Sequence, residues 1–272
     1  MSDVTGAALA EPPAREPAGA ILEVEGLTKR FGGFTAVDDV QLGLVPGRIT
    51  AMIGPNGAGK STCINLLDGA LLPTNGEVRL RGARVDGLPA HEIASRGVAR
   101  TFQTPKIFGE MTALETVMLA RDRFSRTGYL GAALHGPRMR RDERESTRTA
   151  LGWMAFVGLD EMAQAAVGDL PVGNQRLLEV ARALATEPDV LLLDEPAAGL
   201  DHTETHALGQ LVRKIAAQTV AVLLVEHDMS MVMSIADEVV VLDQGKRIAS
   251  GTPAEVGRNP QVVEAYLGTV QE

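Results

Sequence analysis

The feature that most constrains the fold is the glycine-rich stretch GPNGAGKST, which runs from Gly54 to Thr62. It follows the apolar segment GRITAMI, typical of a buried strand, and it precedes KSTCINLLDGAL, which has helical spacing. A glycine-rich turn between a strand and a helix directs backbone N–H groups and a helix N-terminus at a bound phosphate. The pattern therefore predicts a phosphate-binding loop within an α/β layered fold.

The residues of this loop have different expected roles. Gly57 and Gly59 allow the backbone to wrap closely around a phosphate, and Lys60 adds a positive charge near the β- and γ-phosphates. The Ser61 hydroxyl is suited to ligate Mg²⁺. An ordinary strand-to-helix turn is the alternative, and the flanking strand and helix argue against it. The predicted nucleotide contacts in the loop are Gly54, Asn56, Gly57, Ala58, Gly59, Lys60, Ser61 and Thr62.

Two later apolar segments end in polar residues. VLLLDEP places Asp194 and Glu195 at a strand end, and LLVEHDM does the same for His227. Because the carboxyl ends of parallel strands meet at one edge of a sheet, we expect these side chains near the phosphates. Asp194 is expected to contact Mg²⁺, Glu195 to polarise an attacking water and His227 to hydrogen-bond the γ-phosphate. A structural role for the histidine is the alternative.

Composition narrows the class of protein. A net charge of -9 and a pI near 5.2 argue against general nucleic-acid binding, which needs a basic face. The single Cys63 excludes a disulfide within the chain, and we expect a small buried thiol. Residues 1–20 are rich in Ala, Pro and Glu and are predicted to form a disordered leader. No stretch approaches the roughly 18 consecutive apolar residues that a membrane-spanning helix requires.

The rest of the chain divides by pattern. From Ile21 onward, short apolar strands alternate with helical segments, which predicts an α/β core. The region of about 111–170 lacks buried strands, and we interpret it as a helical subdomain inserted in that core. Within it, 121–148 holds eight arginines against four acidic residues. This arginine-rich segment is either a solvated face or a docking surface for a partner or for anionic lipid headgroups.

In order and spacing these motifs resemble the ATP-binding subunits of ABC transporters. The segments that carry the resemblance are the phosphate loop, TFQTPKIF, LPVGNQRLLEVARAL, LLLDEPAAGLD and EHDM. LTKRFGGFTAVDDV and the ending GTPAEVGRNPQVVEAYLG narrow it to the ATP-binding subunits of branched-chain amino-acid importers. The resemblance implies one ABC ATPase domain over 21–272, with a P-loop NTPase core, an antiparallel β subdomain, the helical insertion and a C-terminal strand and helix segment at about 237–268.

The resemblance also implies roles for four further residues. Phe31 matches the aromatic residue that stacks on adenine, and Val37 matches the apolar contact beside it. Gln103 matches the residue that touches Mg²⁺ and the attacking water. Asp201 matches a residue that crosses a dimer interface. The alternatives are strand packing for Phe31 and Val37, an exposed turn for Gln103 and a helix N-cap for Asp201.

The stretch LPVGNQ departs from the family's usual Leu-Ser-Gly-Gly-Gln. Pro171 offers neither a hydroxyl nor an N–H, which could remove roughly 1.5–3 kcal/mol of contact with a γ-phosphate. Val172 is unfavourable if the loop requires a positive φ. Gly173 keeps close backbone approach, and a helix predicted to begin near Asn174 keeps its positive end and an amide donor. We interpret the stretch as part of a working ATPase in which Pro171, Gly173, Asn174 and Asp201 act across the dimer; an inert helix-start turn is the alternative.

The assembly implied by the resemblance is an ATP- and Mg²⁺-dependent ATPase that dimerises head to tail, with a second copy or a related chain. It would sit on the cytoplasmic side of the plasma membrane, against two transmembrane permease subunits served by an extracytoplasmic solute-binding protein. Branched-chain amino acids are the expected cargo, with urea, other amino acids or lipid export as alternatives. A non-transport ABC ATPase and a P-loop kinase are less favoured, and no nucleic-acid partner is expected.

Overall fold

A computed structural model describes residues 19–101, 110–121 and 137–267. Near the N-terminus, one sheet is antiparallel and has the strand order β2-β1-β4-β5. Its alternating sequence buries one face and leaves the other partly exposed, as antiparallel sheets commonly do. The strands of this sheet are β1 (Leu22–Phe31), β2 (Phe34–Leu44), β4 (Asn75–Leu80) and β5 (Ala83–Arg84).

The second sheet forms the centre of the molecule, in the order β10-β9-β3-β8-β7-β6. Only the edge pair of β10 and β9 is antiparallel; the other neighbours run parallel. Its inner strands are continuous apolar runs because both faces of a parallel sheet are covered. The strands are β3 (Ile49–Ile53), β6 (Val98–Arg100), β7 (Val190–Asp194), β8 (Ala221–Val225), β9 (Glu238–Asp243) and β10 (Lys246–Gly251).

Helices cover both faces of the central sheet, and three apolar clusters fill the space between. The first cluster joins the sheet to α3, α4, α5 and α6, the second joins it to α1 and the antiparallel sheet, and the third lies beneath α7, α8 and α9. The helices are α1 (Lys60–Leu67), α2 (Ala90–Ser95), α3 (Ala113–Leu119), α4 (Pro137–Val157), α5 (Val172–Leu184), α6 (His202–Ala216), α7 (Met229–Ile235), α8 (Pro253–Val256) and α9 (Pro260–Leu267). The predicted α/β fold with an antiparallel β subdomain is confirmed.

Within 111–170, the described residues form α3, α4 and two short 3₁₀ turns, Asp160–Met162 and Val167–Asp169. An isolated bridge between Thr112 and Ala166 closes the base of this region. Residues 1–18 of the predicted leader and 122–136 of the arginine-rich segment lie outside the described residues. The exact division of the chain into domains stays a prediction.

Within 19–101, 110–121 and 137–267, no helix is both long enough and apolar enough to cross a bilayer.

Candidate nucleotide-binding site

The loop from Gly54 to Thr62 lies between β3 and α1, and its backbone geometry explains its glycines. Gly54, Gly57 and Gly59 all have positive φ, at 152°, 81° and 101°. A Cβ on Gly59 would lie 2.4 Å from the carbonyl oxygen of Ala36, so no side chain fits there. With glycine at these positions, no side chain shields the backbone N–H groups of the loop, so that a phosphate can approach them closely.

Lys60 is buried at the start of α1, with its ammonium held by the loop. Its Nζ donates to the carbonyl oxygens of Gly54 at 2.7 Å and Pro55 at 3.1 Å. Burial lowers the pKa of Lys60, and the carboxylates of Glu195 and Asp194 oppose that shift. The three charged groups thus share one electrostatic environment at the loop.

The remaining loop residues divide by exposure. The Asn56 and Ser61 side chains are exposed, Thr62 is half-buried and Ala58 is buried in the second cluster. The Ala58 carbonyl accepts from the N–H of Gly245 at 3.0 Å, which ties the loop to the turn between β9 and β10. Ala58 therefore anchors the loop from below, while Asn56 and Ser61 face outward.

Asp194 ends β7 and Glu195 follows it, as the sequence predicts, but their backbones differ. Asp194 still pairs with Val225 in the parallel register of β7 and β8. Glu195 has a φ of 46°, in the left-handed region, and its N–H donates to the carbonyl oxygen of Val225 at 2.9 Å. Non-glycine residues in this conformation are uncommon and cluster at functional sites.

Arg100, which sequence reasoning did not single out, connects three parts of the site. Its guanidinium donates to Asp194 Oδ2 at 2.8 Å, to Asp68 Oδ2 at 2.5 Å and to Asn65 Oδ1 at 2.7 Å. The Arg100 side chain is only 11% exposed, so these bonds are little screened by solvent. Its location at the end of β6, beside TFQ, was the available signal.

Glu226 is a second residue that sequence reasoning missed. The side chain is fully buried, although it directly precedes an exposed His227. Its two oxygens accept from the N–H groups of Ala197 at 2.8 Å and His227 at 3.1 Å. Burial raises the pKa of Glu226, and these N–H bonds act in the opposite direction. A glutamate closing an apolar strand gives no sign in sequence that it turns inward.

Phe31 and Val37 lie in different environments. The Phe31 ring is 48% exposed at the end of β1, and Lys29 Nζ lies 5.1 Å from its centroid. Phe34, directly opposite in the hairpin, is 64% exposed and offers a second ring that sequence reasoning overlooked. Val37 is fully buried beside Gly59, which matches strand packing rather than a surface open to a base. An adenine contact stays a prediction for Phe31. For Val37, such a contact would require the residues that bury its side chain to move.

The LPVGNQ stretch starts α5 earlier than predicted. The helix begins at Val172, with Pro171 as N-cap, instead of near Asn174. Val172 lies within this helix, is not among the residues with positive φ and is 58% exposed, so the condition that would make it unfavourable is not met. A Cβ on Gly173 would lie 2.7 Å from Glu204 Oε1, and Asn174 Nδ2 contacts Met162 Sδ at 2.9 Å.

Asp201 is the N-cap of α6. Its side chain accepts from the N–H of Glu204 at 2.8 Å, while the Glu204 carboxylate accepts from the N–H of Asp201 at 3.0 Å. This reciprocal capping box confirms the N-cap interpretation. The interface role of Asp201 stays a prediction.

The donors available to a cation fit magnesium. The Ser61 hydroxyl is exposed in the first turn of α1, which follows β3, and the Asp194 carboxylate lies at the end of β7, two strands along the sheet. Hydroxyl and carboxylate oxygens are donors that Mg²⁺ prefers, and it keeps several waters. Among the described residues no cluster of three His, Cys, Asp or Glu forms a metal cage. Gln103, the third predicted ligand, lies outside the described residues.

Comparison with known families decides where this site belongs. The ABC transporter family model matches residues 37–198, more than half of the chain. The chain belongs to the ABC transporter ATP-binding family. A second model, for branched-chain amino acid ATP-binding cassette transporters, matches 246–271. Both levels of the resemblance seen in the sequence are therefore confirmed.

Individual members of the ABC family agree with this assignment. The chain is 49% identical to the high-affinity branched-chain amino acid transport ATP-binding protein BraF of Pseudomonas aeruginosa, over 91% of this chain and 98% of that protein. An ATP-binding cassette of an ABC transporter solved in its ADP conformation is 32% identical, with a TM-score of 0.80 over 92% of this chain and 99% of that one. A dimeric bacterial ABC transporter cassette is 25% identical, with a TM-score of 0.73 over 85% and 98%.

Proposed function

We propose that this chain is the ATP-hydrolysing subunit that energises an importer of branched-chain amino acids. The observation that supports hydrolysis is the position of Asp194 and Glu195 at the carboxyl end of β7, on the sheet edge where the phosphate loop and Lys60 follow β3. Branched-chain cargo is supported by the match over 246–271 and by the name and identity of BraF.

In the proposed reaction the chain's own residues bind, orient and stabilise. On binding ATP, Lys60 Nζ exchanges the carbonyl oxygens that hold it for oxygens of the β- and γ-phosphates. Glu195 accepts a hydrogen bond from the attacking water and orients it toward the γ-phosphorus. His227, exposed at the same sheet edge, donates to a γ-phosphate oxygen as charge develops.

A magnesium ion would complete this site. Ser61, Asp194 and Gln103 would hold it, and it would supply neutralisation of the phosphate charge. Arg100 already neutralises the Asp194 carboxylate from the opposite side. The metal site is therefore connected to β6 and, through Asp68, to α1.

The active unit is a dimer of cassettes. The side-chain bonds of Asn174 and Gln175 are to Met162 and Leu170 of their own helical region. We infer that the start of α5, with about half a positive charge at its N-terminus, serves the ATP site of a second cassette. The dimeric cassette among the solved relatives supports this arrangement. Pro171 then removes one side-chain donor without removing the helix end or Gly173.

The assembly would place the cassette on the cytoplasmic side of the plasma membrane, against two permease subunits that receive cargo from an extracytoplasmic solute-binding protein. A cleft of about 350 Å³ between α2, β6, α3 and α5 is the face we assign to a permease helix. It combines the apolar side chains of Ile93 and Leu119 with the charged Arg100 and Arg182. Because Arg100 also binds Asp194, a helix seated there would lie next to the metal ligand.

Turnover of the purified full chain tests the enzymatic part of the proposal. We expect Glu195→Gln to accumulate ATP-bound dimers by light scattering, while wild-type turnover rises faster than linearly with protein concentration. Lys60→Ala serves as the control: we expect it neither to accumulate ATP-bound dimers nor to turn over ATP, because it lacks the phosphate contact. If wild type shows no turnover, alone or with related ATPase chains added, hydrolysis by this chain is ruled out.

The cargo assignment can be tested only in the complete transporter. In proteoliposomes holding the permease subunits, we expect binding protein loaded with leucine, isoleucine or valine to stimulate turnover of this chain. Stimulation by urea or by lipid instead would overturn the cargo assignment while leaving the ATPase assignment intact.

A further inference from the structure

The end of the β7–β8 pairing holds a buried carboxylate that the proposed reaction does not use. The last backbone bond between these strands joins the N–H of Glu195 to the carbonyl oxygen of Val225. Beyond it, the side chain of Glu226 takes over, with Oε1 accepting from the N–H of Ala197 and Oε2 from the N–H of His227. The Glu226 side chain therefore continues the connection between the strands past the point where the ladder ends.

Burying a carboxylate in this position costs free energy unless hydrogen bonds compensate for the lost solvation. Glu226 is 0% exposed, and a buried charge is tolerated only when hydrogen bonds satisfy it. Both of its oxygens accept from backbone N–H groups on segments that carry predicted catalytic residues, and Oε2 also lies 3.7 Å from Nδ1 of the His227 ring. Ala197 comes two residues after Glu195, and His227 is itself the predicted γ-phosphate donor. One side chain thus sets the spacing between the two segments.

We propose that Glu226 is a positioning residue that holds the Glu195 loop and His227 at a fixed separation on either side of the γ-phosphate. It touches neither the nucleotide nor the water, and it acts through the two backbone segments. The inference rests on the proposed ATPase function. It predicts that losing one of the two bonds impairs the chemical step more than it impairs nucleotide binding.

Glu226→Gln keeps the shape of the side chain but leaves only one acceptor oxygen, so one buried N–H loses its partner. We expect kcat of the full chain to fall about tenfold or more, because displacement of the Glu195 loop or of His227 misaligns groups that act in the transition state. KM for ATP should change by less than about twofold, since the phosphate loop is untouched. In a His227→Ala background, the same change should lower kcat by less than it does in the wild type, because the part of its effect that acts through His227 is already lost.

Glu238→Gln is the matched control. Burial also raises the pKa of Glu238, but this residue begins β9 at the opposite edge of the same sheet. It should leave kcat unchanged. Glu226→Asp provides a second variant in case Glu226→Gln does not fold, because it keeps the charge and is too short to reach both N–H groups. We expect it to fall between wild type and Glu226→Gln.

Amide hydrogen exchange of the nucleotide-free chain separates this proposal from the ATPase assignment. In the Glu226 variants, exchange should accelerate together in the segments 195–201 and 226–232. Unchanged exchange there, or wild-type kcat in Glu226→Gln, or full multiplication of the Glu226 and His227 effects, would each overturn the proposal. If wild type does not hydrolyse ATP, the ATPase assignment fails, and joint exchange of the two segments decides whether Glu226 ties them.

Discussion

Gly59 and Glu195 both adopt left-handed backbone conformations, for different physical reasons. At Gly59 the nearby carbonyl of Ala36 excludes any side chain, so only glycine is accommodated. At Glu195 a side chain fits, but the backbone conformation is strained and costs on the order of 1–3 kcal/mol. The bond from its N–H to Val225 helps to hold it. At this site, Gly59 is therefore required by the lack of space, whereas Glu195 keeps a strained backbone at a position with a predicted catalytic role.

Cys63 gives a prediction at the same scale. It is fully buried in α1, one turn from Lys60, and burial raises its pKa to about 12 from a usual value of 9.0. Because the unfolded state loses the thiol proton first, the free energy of unfolding should fall as pH rises between these two values. The largest slope is about 1.4 kcal/mol per pH unit. Cys63→Ala should lack this slope in urea unfolding, whereas an identical slope in both proteins would show that the thiol is not the cause.

At the scale of elements, the two helices that we assign to the dimer interface begin differently. At α5 the N-cap is Pro171, which makes no side-chain cap bond, and Val172, the first residue of the helix, is exposed. At α6 the N-cap is Asp201, which forms a complete capping box with Glu204. The Glu204 carboxylate also lies close to Gly173. The start of α5 thus packs beside the start of α6, and a change at one helix end should be felt at the other.

Asp201 allows its two roles to be separated. Asp201→Ala should lower the free energy of unfolding by about 1 kcal/mol, because the N–H of Glu204 loses its acceptor. Asp201→Asn keeps an acceptor oxygen and should retain most of this stability. If Asp201 also acts across the dimer, both variants should need higher protein concentration for half-maximal turnover. Wild-type concentration dependence in Asp201→Asn would limit the residue to its cap.

At the scale of the whole molecule, the central sheet brings together segments that are far apart in sequence. The order β9-β3-β8-β7-β6 sets the phosphate loop after β3 beside His227 after β8, with Asp194 next along the edge. Arg100, at the end of β6, then joins that edge to the cleft beside α3. The proposed docking cleft and the predicted metal ligand Asp194 therefore both adjoin Arg100.

Leu119 provides a test of this cleft. The side chain lines the cleft and is 50% exposed in the cassette, so a permease helix would cover it. Leu119→Lys should abolish co-purification with the permease subunits and leave the turnover of the isolated chain unchanged. Leu72→Lys is the control, because Leu72 is 56% exposed and is not among the residues that line the cleft. Retained co-purification of Leu119→Lys would place the permease elsewhere.

The phosphate loop, the strand-end residues Asp194 and Glu195, the α/β class and the family could all be predicted from the sequence. These features depend on local rules, since a glycine-rich turn needs its own strand and helix, and a buried parallel strand needs its own apolar run. Even the start of α5 was predicted to within two residues.

The environments of Arg100, Glu226 and Val37 depend on how the elements assemble. Each lies in a segment whose pattern fits several environments; the partners of Arg100 lie from 32 to 94 residues away in sequence, and Ala197, which joins Glu226 to the other segment, lies 29 residues away. A carboxylate at a strand end reads the same whether it points to solvent or into the protein, because burial depends on which strands become neighbours. Strand order is a property of the assembled sheet. It decides that Glu226 is buried and that its side chain links two segments of the site.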